Sequence, residues 1–134
     1  MRQYRVGIGP VAVFGASNFP FAFGVGGCDT AAAIAAGCPV IIKAHPGHIE
    51  TSRKVFALMQ AAAKSVSAPE GLFNLVEDFE AGVEFVKHKD VSAVAFTGST
   101  PGGRALFDIA QSRKDPIPFY GELGGLNPIF VTEE

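Results

Sequence analysis

Four short segments carry residue types suited to handling anions and protons. The turn Thr97-Gly98-Ser99-Thr100-Pro101-Gly102-Gly103 follows an apolar run and precedes a helical one. Such a turn offers backbone N–H groups and the positive end of a helix dipole to a phosphate. Ser99 either bonds a phosphate oxygen or caps the helix, and Pro101 suits the first helical turn. Lys43, just past a second apolar run, is a cation placed to bond ribose hydroxyls or a phosphate, or a solvated strand-end lysine. Asn18 follows a third run, where an amide can donate to an oxyanion or simply make a turn. Glu122-Leu123-Gly124-Gly125 sets a carboxylate beside two glycines, whose bare backbone a ligand can approach closely. A surface turn with an incidental acid is the plain alternative.

Other patterns are decoys. Gly7-Ile8-Gly9-Pro10-Val11-Ala12 fits G-x-G-x-x-A but precedes a strand, whereas the dinucleotide fingerprint follows one. The Thr97 turn lacks a third glycine in register for that fingerprint and a Lys for a Walker loop. Gly15-Ala16-Ser17-Asn18-Phe19 lacks the last glycine of a nucleophile elbow. His45, His48 and His88 are too dispersed for a metal site and are expected at the surface. Cys28 and Cys38, in apolar helix and turn sequence without a nearby cation, are expected to be buried packing residues.

The elements that must position these segments alternate. Short apolar runs at 11–14, 39–42, 72–76 and 91–96 read as strands, with later runs near Phe119-Tyr120 and over 128–131. Between them lie helical stretches: roughly 23–36, closed by Gly37; a stripe of Val55, Leu58, Met59, Ala62 and Val66; a shorter one with Phe79, Val83 and Val86; and one with Leu106, Ile109 and Ala110. Alternation of this kind predicts an α/β fold, an open parallel sheet of five or six strands with helices on both faces. Residues 1–9 offer no complete element.

The chain has 134 residues, 48% of them apolar and 18% charged, with a formal net charge of −2. That length fits one domain, and no linker or repeat divides it. So apolar a composition predicts surface covered by something else. The absence of a Lys/Arg run argues against a nucleic-acid or anionic-membrane surface. Phe21–Ile42 is interrupted by Asp29, Thr30, Pro39 and glycines, so it reads as helix, turn and strand rather than a membrane span. The cysteine pattern and the lack of a signal-like opening make a cytoplasmic compartment the default.

Taken in order, Ser17-Asn18-Phe19-Pro20, Val40-Ile41-Ile42-Lys43, Phe96-Thr97-Gly98-Ser99-Thr100 with Gly103, and Glu122-Leu123-Gly124-Gly125 with Pro128 resemble the coenzyme-binding domain of the aldehyde dehydrogenase superfamily. The wording Phe14-Gly15-Ala16-Ser17-Asn18-Phe19-Pro20 and Pro118-Phe119-Tyr120-Gly121-Glu122 is similar to the branch acting on semialdehydes, 2-oxoglutarate semialdehyde among them, and on fatty aldehydes. The resemblance implies a Rossmann-like sheet within a larger multidomain fold, residues 1–134 forming the NAD(P)-binding part of a homo-oligomeric enzyme. It implies that a cysteine thiolate attacks the aldehyde, that Asn18 stabilises the oxyanion, and that hydride passes to NAD(P)+. Glu122 then activates water to hydrolyse the thioester, a task suited to a carboxylate whose pKa an apolar cleft raises.

Coenzyme contacts are implied at Gly15, Ser17, Lys43, His45, Gly98, Ser99, Gly103, Leu123 and Gly124. Many relatives that use NAD carry Glu three residues after the Lys, where it repels a 2′-phosphate; here Pro46 stands there, so NADP is the expected cofactor and NAD the alternative. His45 and His48 are expected to add donors. Gly102 departs from the apolar side chain common there, and Leu126-Asn127 from the commoner Lys-Ser. The implied nucleophile lies beyond Glu134, so neither Cys28 nor Cys38 fills that role, and the isolated chain is not expected to oxidise aldehydes. Two rival readings are a non-catalytic nucleotide-binding or assembly module and an enzyme that passes the acyl group to coenzyme A.

Overall fold

The computed structural model describes residues 2–4 and 6–132; Met1, Arg5, Glu133 and Glu134, parts of the two terminal segments, lie outside the described residues. Strands β1 (Val11–Phe14), β2 (Val40–Lys43), β3 (Phe73–Val76), β4 (Ala93–Thr97) and β5 (Phe119–Glu122) alternate with helices α1 (Cys28–Ala35), α2 (Ile49–Ser65), α3 (Phe79–Lys87) and α4 (Thr100–Ser112). A 3-10 turn, Pro46–His48, leads into α2. Every strand pairing is parallel, and the sheet order is β3-β2-β1-β4-β5.

Successive side chains of a strand point to opposite faces, so the apolar runs supply two cores. Val11, Val13, Val40, Ile42, Ala93 and Ala95 face α1 and α2, packing with Ala33, Ile49, Phe56 and Met59. Ala12, Phe14, Val94 and Phe96 face α3 and α4, packing with Val83, Val86, Leu106 and Ala110. The α/β sheet with helices on both faces is the one expected. Among the described residues it has five strands: 128–131 forms no strand, and Leu126, Ile129, Phe130 and Val131 are exposed.

Three expectations need correction. Helix α1 begins at Cys28 rather than near residue 23, because 20–27 is a series of tight turns. Its bonds run Phe23 N to Phe19 O, Gly27 N to Gly24 O and Cys28 N to Ala22 O, each 2.9–3.0 Å. At the first residue of the helix Cys28 is exposed, while Cys38 is buried as expected. The helix does close on Gly37 (φ 80°): Gly37 N–H bonds Ile34 O and Cys38 N–H bonds Ala33 O, the paired bonds of a Schellman cap.

On α2 the apolar stripe is rotated from the expected one. Leu58 and Val66 are 72% and 74% exposed, whereas Ser52 is 2% exposed. The helix packs through Ile49, Ser52, Val55, Phe56 and Met59. Counting apolar residues alone misplaces the face, because its most buried position is a serine whose hydroxyl is hydrogen-bonded within the fold.

Candidate functional site

In this strand order the chain reverses direction across the sheet between β1 and β4, and the crevice outside the strands' carboxyl ends is open there. A cavity of about 360 Å³ occupies it. Its floor is the β1 exit (Phe14 to Ser17), its sides are α3 (Phe79, Val83) and α4 (Ala105, Leu106, Ile109), and its polar ends are Lys43-His45-Pro46 and Thr97-Gly98-Ser99. Among the described residues no Asp or Glu lines it. Of the residues expected to bind a coenzyme, Gly15, Ser17, Lys43, His45, Gly98 and Ser99 meet here.

Lys43 ends β2, and only 8% of the residue is exposed. Its stem crosses α3 at Gly82, where an added Cβ would stand 2.8 Å from Lys43 Cγ. The ammonium donates to Ala44 O (2.8 Å) and keeps two further N–H groups. Burial lowers the Lys43 pKa from its ordinary value, and the charge of Asp78 offsets part of that.

His45 accepts the Gly47 N–H at Nδ1 (3.0 Å), so the neutral ring carries its proton on Nε2. Its pKa is lowered, first by burial and then by His48 and Lys43. Pro46 opens the 3-10 turn and puts no carboxylate beside Lys43.

His48 is half-buried, not a surface residue, and it is not the free donor expected of it. Its Nε2 lies 2.7 Å from Ala16 O and its Nδ1 3.1 Å from Ser52 Oγ, so both ring nitrogens are engaged within the fold.

The Thr97 turn caps α4. Ser99 Oγ accepts the Gly102 N–H (3.3 Å), Ser99 O accepts the Gly103 N–H (2.9 Å), and Pro101 has no N–H. Among the described residues the Ser99 and Thr100 amides of this turn make no recorded bond. Ser99, an exposed cap, can still donate its own hydroxyl proton outward.

Gly103 is buried beneath the turn, with the Phe96 ring and Leu123 side chain occupying the space a side chain would need. Gly103, Leu123 and Gly124 therefore support the cavity from outside it. Gly124 N–H donates to Thr100 Oγ1 (3.2 Å), and Gly98 N–H to Glu122 O (3.0 Å). The strand register pairs Thr97 with Glu122. The two distant sequence segments are thus held side by side at the carboxyl edge of β4 and β5.

Asn18 and Glu122 are both exposed and do not line the cavity. The apolar cleft expected around Glu122 is not formed by the described residues. Periodicity also missed the Lys43 to Gly82 packing, the His48 bonds, and a hydrogen bond from Thr97 Oγ1 to Asp29 Oδ2 (3.2 Å) that joins β4 to α1. The His48 and Ser52 spacing of four on one helical start was the available signal for the second.

Among the described residues no helix is long and apolar enough to cross a membrane. No group of three or more potential ligand side chains among them suits a metal ion.

Known proteins share this arrangement. The chain is 48% identical over its whole length to an alpha-ketoglutaric semialdehyde dehydrogenase of Acinetobacter baylyi, covering 26% of that protein. It is 50% identical over 133 residues to alpha-ketoglutaric semialdehyde dehydrogenase 2 of Azospirillum brasilense, covering 98% of this chain and 25% of the relative. It therefore spans about a quarter of the length of these curated relatives. Its fold superimposes on a glyceraldehyde-3-phosphate dehydrogenase of Methanocaldococcus jannaschii complexed with NADP, with a TM-score of 0.81 at 27% identity over 93% of this chain and 26% of that one. An NAD-dependent benzaldehyde dehydrogenase of Corynebacterium glutamicum matches with a TM-score of 0.74 at 30% identity, over 90% of this chain and 26% of that one. The model of the aldehyde dehydrogenase family matches residues 1–134, and with the ordered strand-end segments gathered at one sheet edge the chain belongs to that family.

Proposed function

We propose that this chain is the coenzyme-binding part of an NADP-accepting aldehyde dehydrogenase whose substrate is a semialdehyde. One observation carries the reading: the crevice at the sheet's carboxyl edge has apolar walls, a partly buried Lys43 ammonium at one end, and no carboxylate among the described residues that line it. An adenosine fits this description, its base between the walls of α3 and α4 and its ribose or 2′-phosphate against Lys43. With Pro46 where an acid would exclude a 2′-phosphate, no carboxylate among the described lining residues opposes attraction to Lys43, and the Asp78 charge acts on it from the α3 cap outside the cavity. His45 adds a neutral Nε2–H donor beside it. When bound, the nicotinamide accepts a hydride.

The catalytic roles follow from the family resemblance of the two segments. Asn18, two residues beyond the anchored Ala16, donates its amide N–H to an oxyanion. Glu122 takes a proton from the water that releases the acyl group, from a strand end tied to the α4 cap through Gly124 and Thr100. The names of the two relatives near half identity support a semialdehyde as substrate.

The test of the base places these residues in a protein that also carries the catalytic cysteine. Glu122→Gln is expected to keep the first turnover of coenzyme reduction and to lose steady-state turnover by about 10²-fold or more. Full steady-state turnover in that variant would exclude Glu122 as the base.

A further inference from the structure

Ala16 is only 2% exposed, so its backbone groups are cut off from water and must find partners inside the fold. Its N–H bonds Phe23 O at 2.8 Å. Its carbonyl is reached by His48, 32 residues away, through Nε2 at 2.7 Å. A carbonyl only accepts, so Nε2 carries the proton, and the neutral ring then accepts the Ser52 hydroxyl proton at Nδ1 (3.1 Å). Every polar atom of the ring is used. Ser52, itself 2% exposed, completes the chain from the body of α2 to the β1 turn.

The place of this strap gives it a role beyond stability. Ala16 is part of the cavity floor, and Ser17 and Asn18 follow it directly. His48 closes the 3-10 turn that begins three residues after Lys43, and its ring lies 5.6 Å from that of His45. Among the described residues the other hydrogen bond recorded between the β1 exit and the β2 exit is the long Gly15 N–H to Lys43 O bond (3.3 Å).

We propose that His48 is a positioning residue for the coenzyme cleft, fixing the turn that carries Ser17 and Asn18 against the turn that carries Lys43 and His45. This rests on the coenzyme reading above. A donor at position 48 sets the spacing of the two walls; without one, Ala16 O is left unpaired and the β1 turn moves to find water.

Calorimetric titration of the whole chain with NADP+ tests this, with thermal melting run alongside. His48→Ala and His48→Phe remove the donor, the second keeping ring volume, and each is expected to weaken NADP+ about tenfold. His48→Gln keeps an N–H donor and is expected to recover most of that loss. Arg113→Met, which lowers stability at ends of α3 and α4 that do not line the cavity, is expected to bind NADP+ like the wild type. Wild-type affinity in the folded donor-less variants, with Lys43→Met weakened, would overturn the positioning role. So would a loss in His48→Gln equal to that in His48→Phe. Unchanged affinity in Lys43→Met would instead overturn the coenzyme reading itself.

Discussion

The aliphatic stem of Lys43 lies across helix α3 at Gly82, in the space a methyl group there would need: an added Cβ would stand 2.8 Å from Lys43 Cγ and 3.2 Å from the Phe14 ring. The glycine sets where the ammonium reaches the cleft. By helix propensity alone Gly82→Ala would gain about 1 kcal/mol. Here the expected result is the reverse. The displaced Lys43 costs about 1.4 kcal/mol, or tenfold, in NADP+ affinity, and melting shows no gain in stability. Calorimetry and a melting curve on the same sample check both.

Folding stability is expected to fall on mild acidification through His45. Burial, His48 and Lys43 lower its pKa in the fold, and the Gly47 N–H facing Nδ1 opposes protonation there too. The unfolded chain therefore binds this proton more readily than the folded one. The contribution is complete above the ordinary histidine value of about 6.5 and is lost as pH falls through the lower folded value. Urea unfolding across that window is expected to show stability declining with falling pH, and His45→Asn to remove part of the slope.

The two thiols differ in access. Cys28 stands exposed at the start of α1, and Cys38 is 3% exposed beneath the Schellman cap. A thiol reagent is expected to modify Cys28 quickly in the native chain and Cys38 only on unfolding, which mass spectrometry of the labelled peptides resolves.

Arg113 joins the end of α4 to the end of α3. Its guanidinium donates to Val86 O (3.1 Å), Val91 O (3.0 Å) and Lys89 O (3.3 Å). Arg113→Met leaves these carbonyls without the donor and is expected to cost about 2 kcal/mol of stability, read as a lowered denaturant midpoint with unchanged m-value.

The sheet was legible because its strands are short runs such as Val91 to Phe96, buried on both faces and bounded by turn residues. The segments ending at Lys43, Ser99 and Glu122 were legible because strand ends converge on one edge in a parallel sheet. What escaped depends on pairs distant in sequence. Ser52 hides in a periodicity count because a paired hydroxyl is buried as readily as a methyl. His48 looks like a turn histidine until Ala16 O is placed beside it. The cleft expected around Glu122 was a property of the family resemblance, and the described residues leave that carboxylate exposed. The Thr97 turn reads from sequence as a phosphate site or a plain cap, and in the structure Ser99 Oγ takes the Gly102 amide while the Ser99 and Thr100 amides make no recorded bond.

In the proposed function the crevice between α3 and α4 holds a phosphorylated adenosine through Lys43, with no acid at position 46 to exclude the 2′-phosphate. Titration of the chain with NADP+ and with NAD+ by calorimetry tests it most directly. Saturable one-to-one binding is expected, tighter for NADP+ and weakened about tenfold or more, some 1.4 kcal/mol, by Lys43→Met. A preference for NAD+, or binding indifferent to Lys43→Met, would contradict the claim.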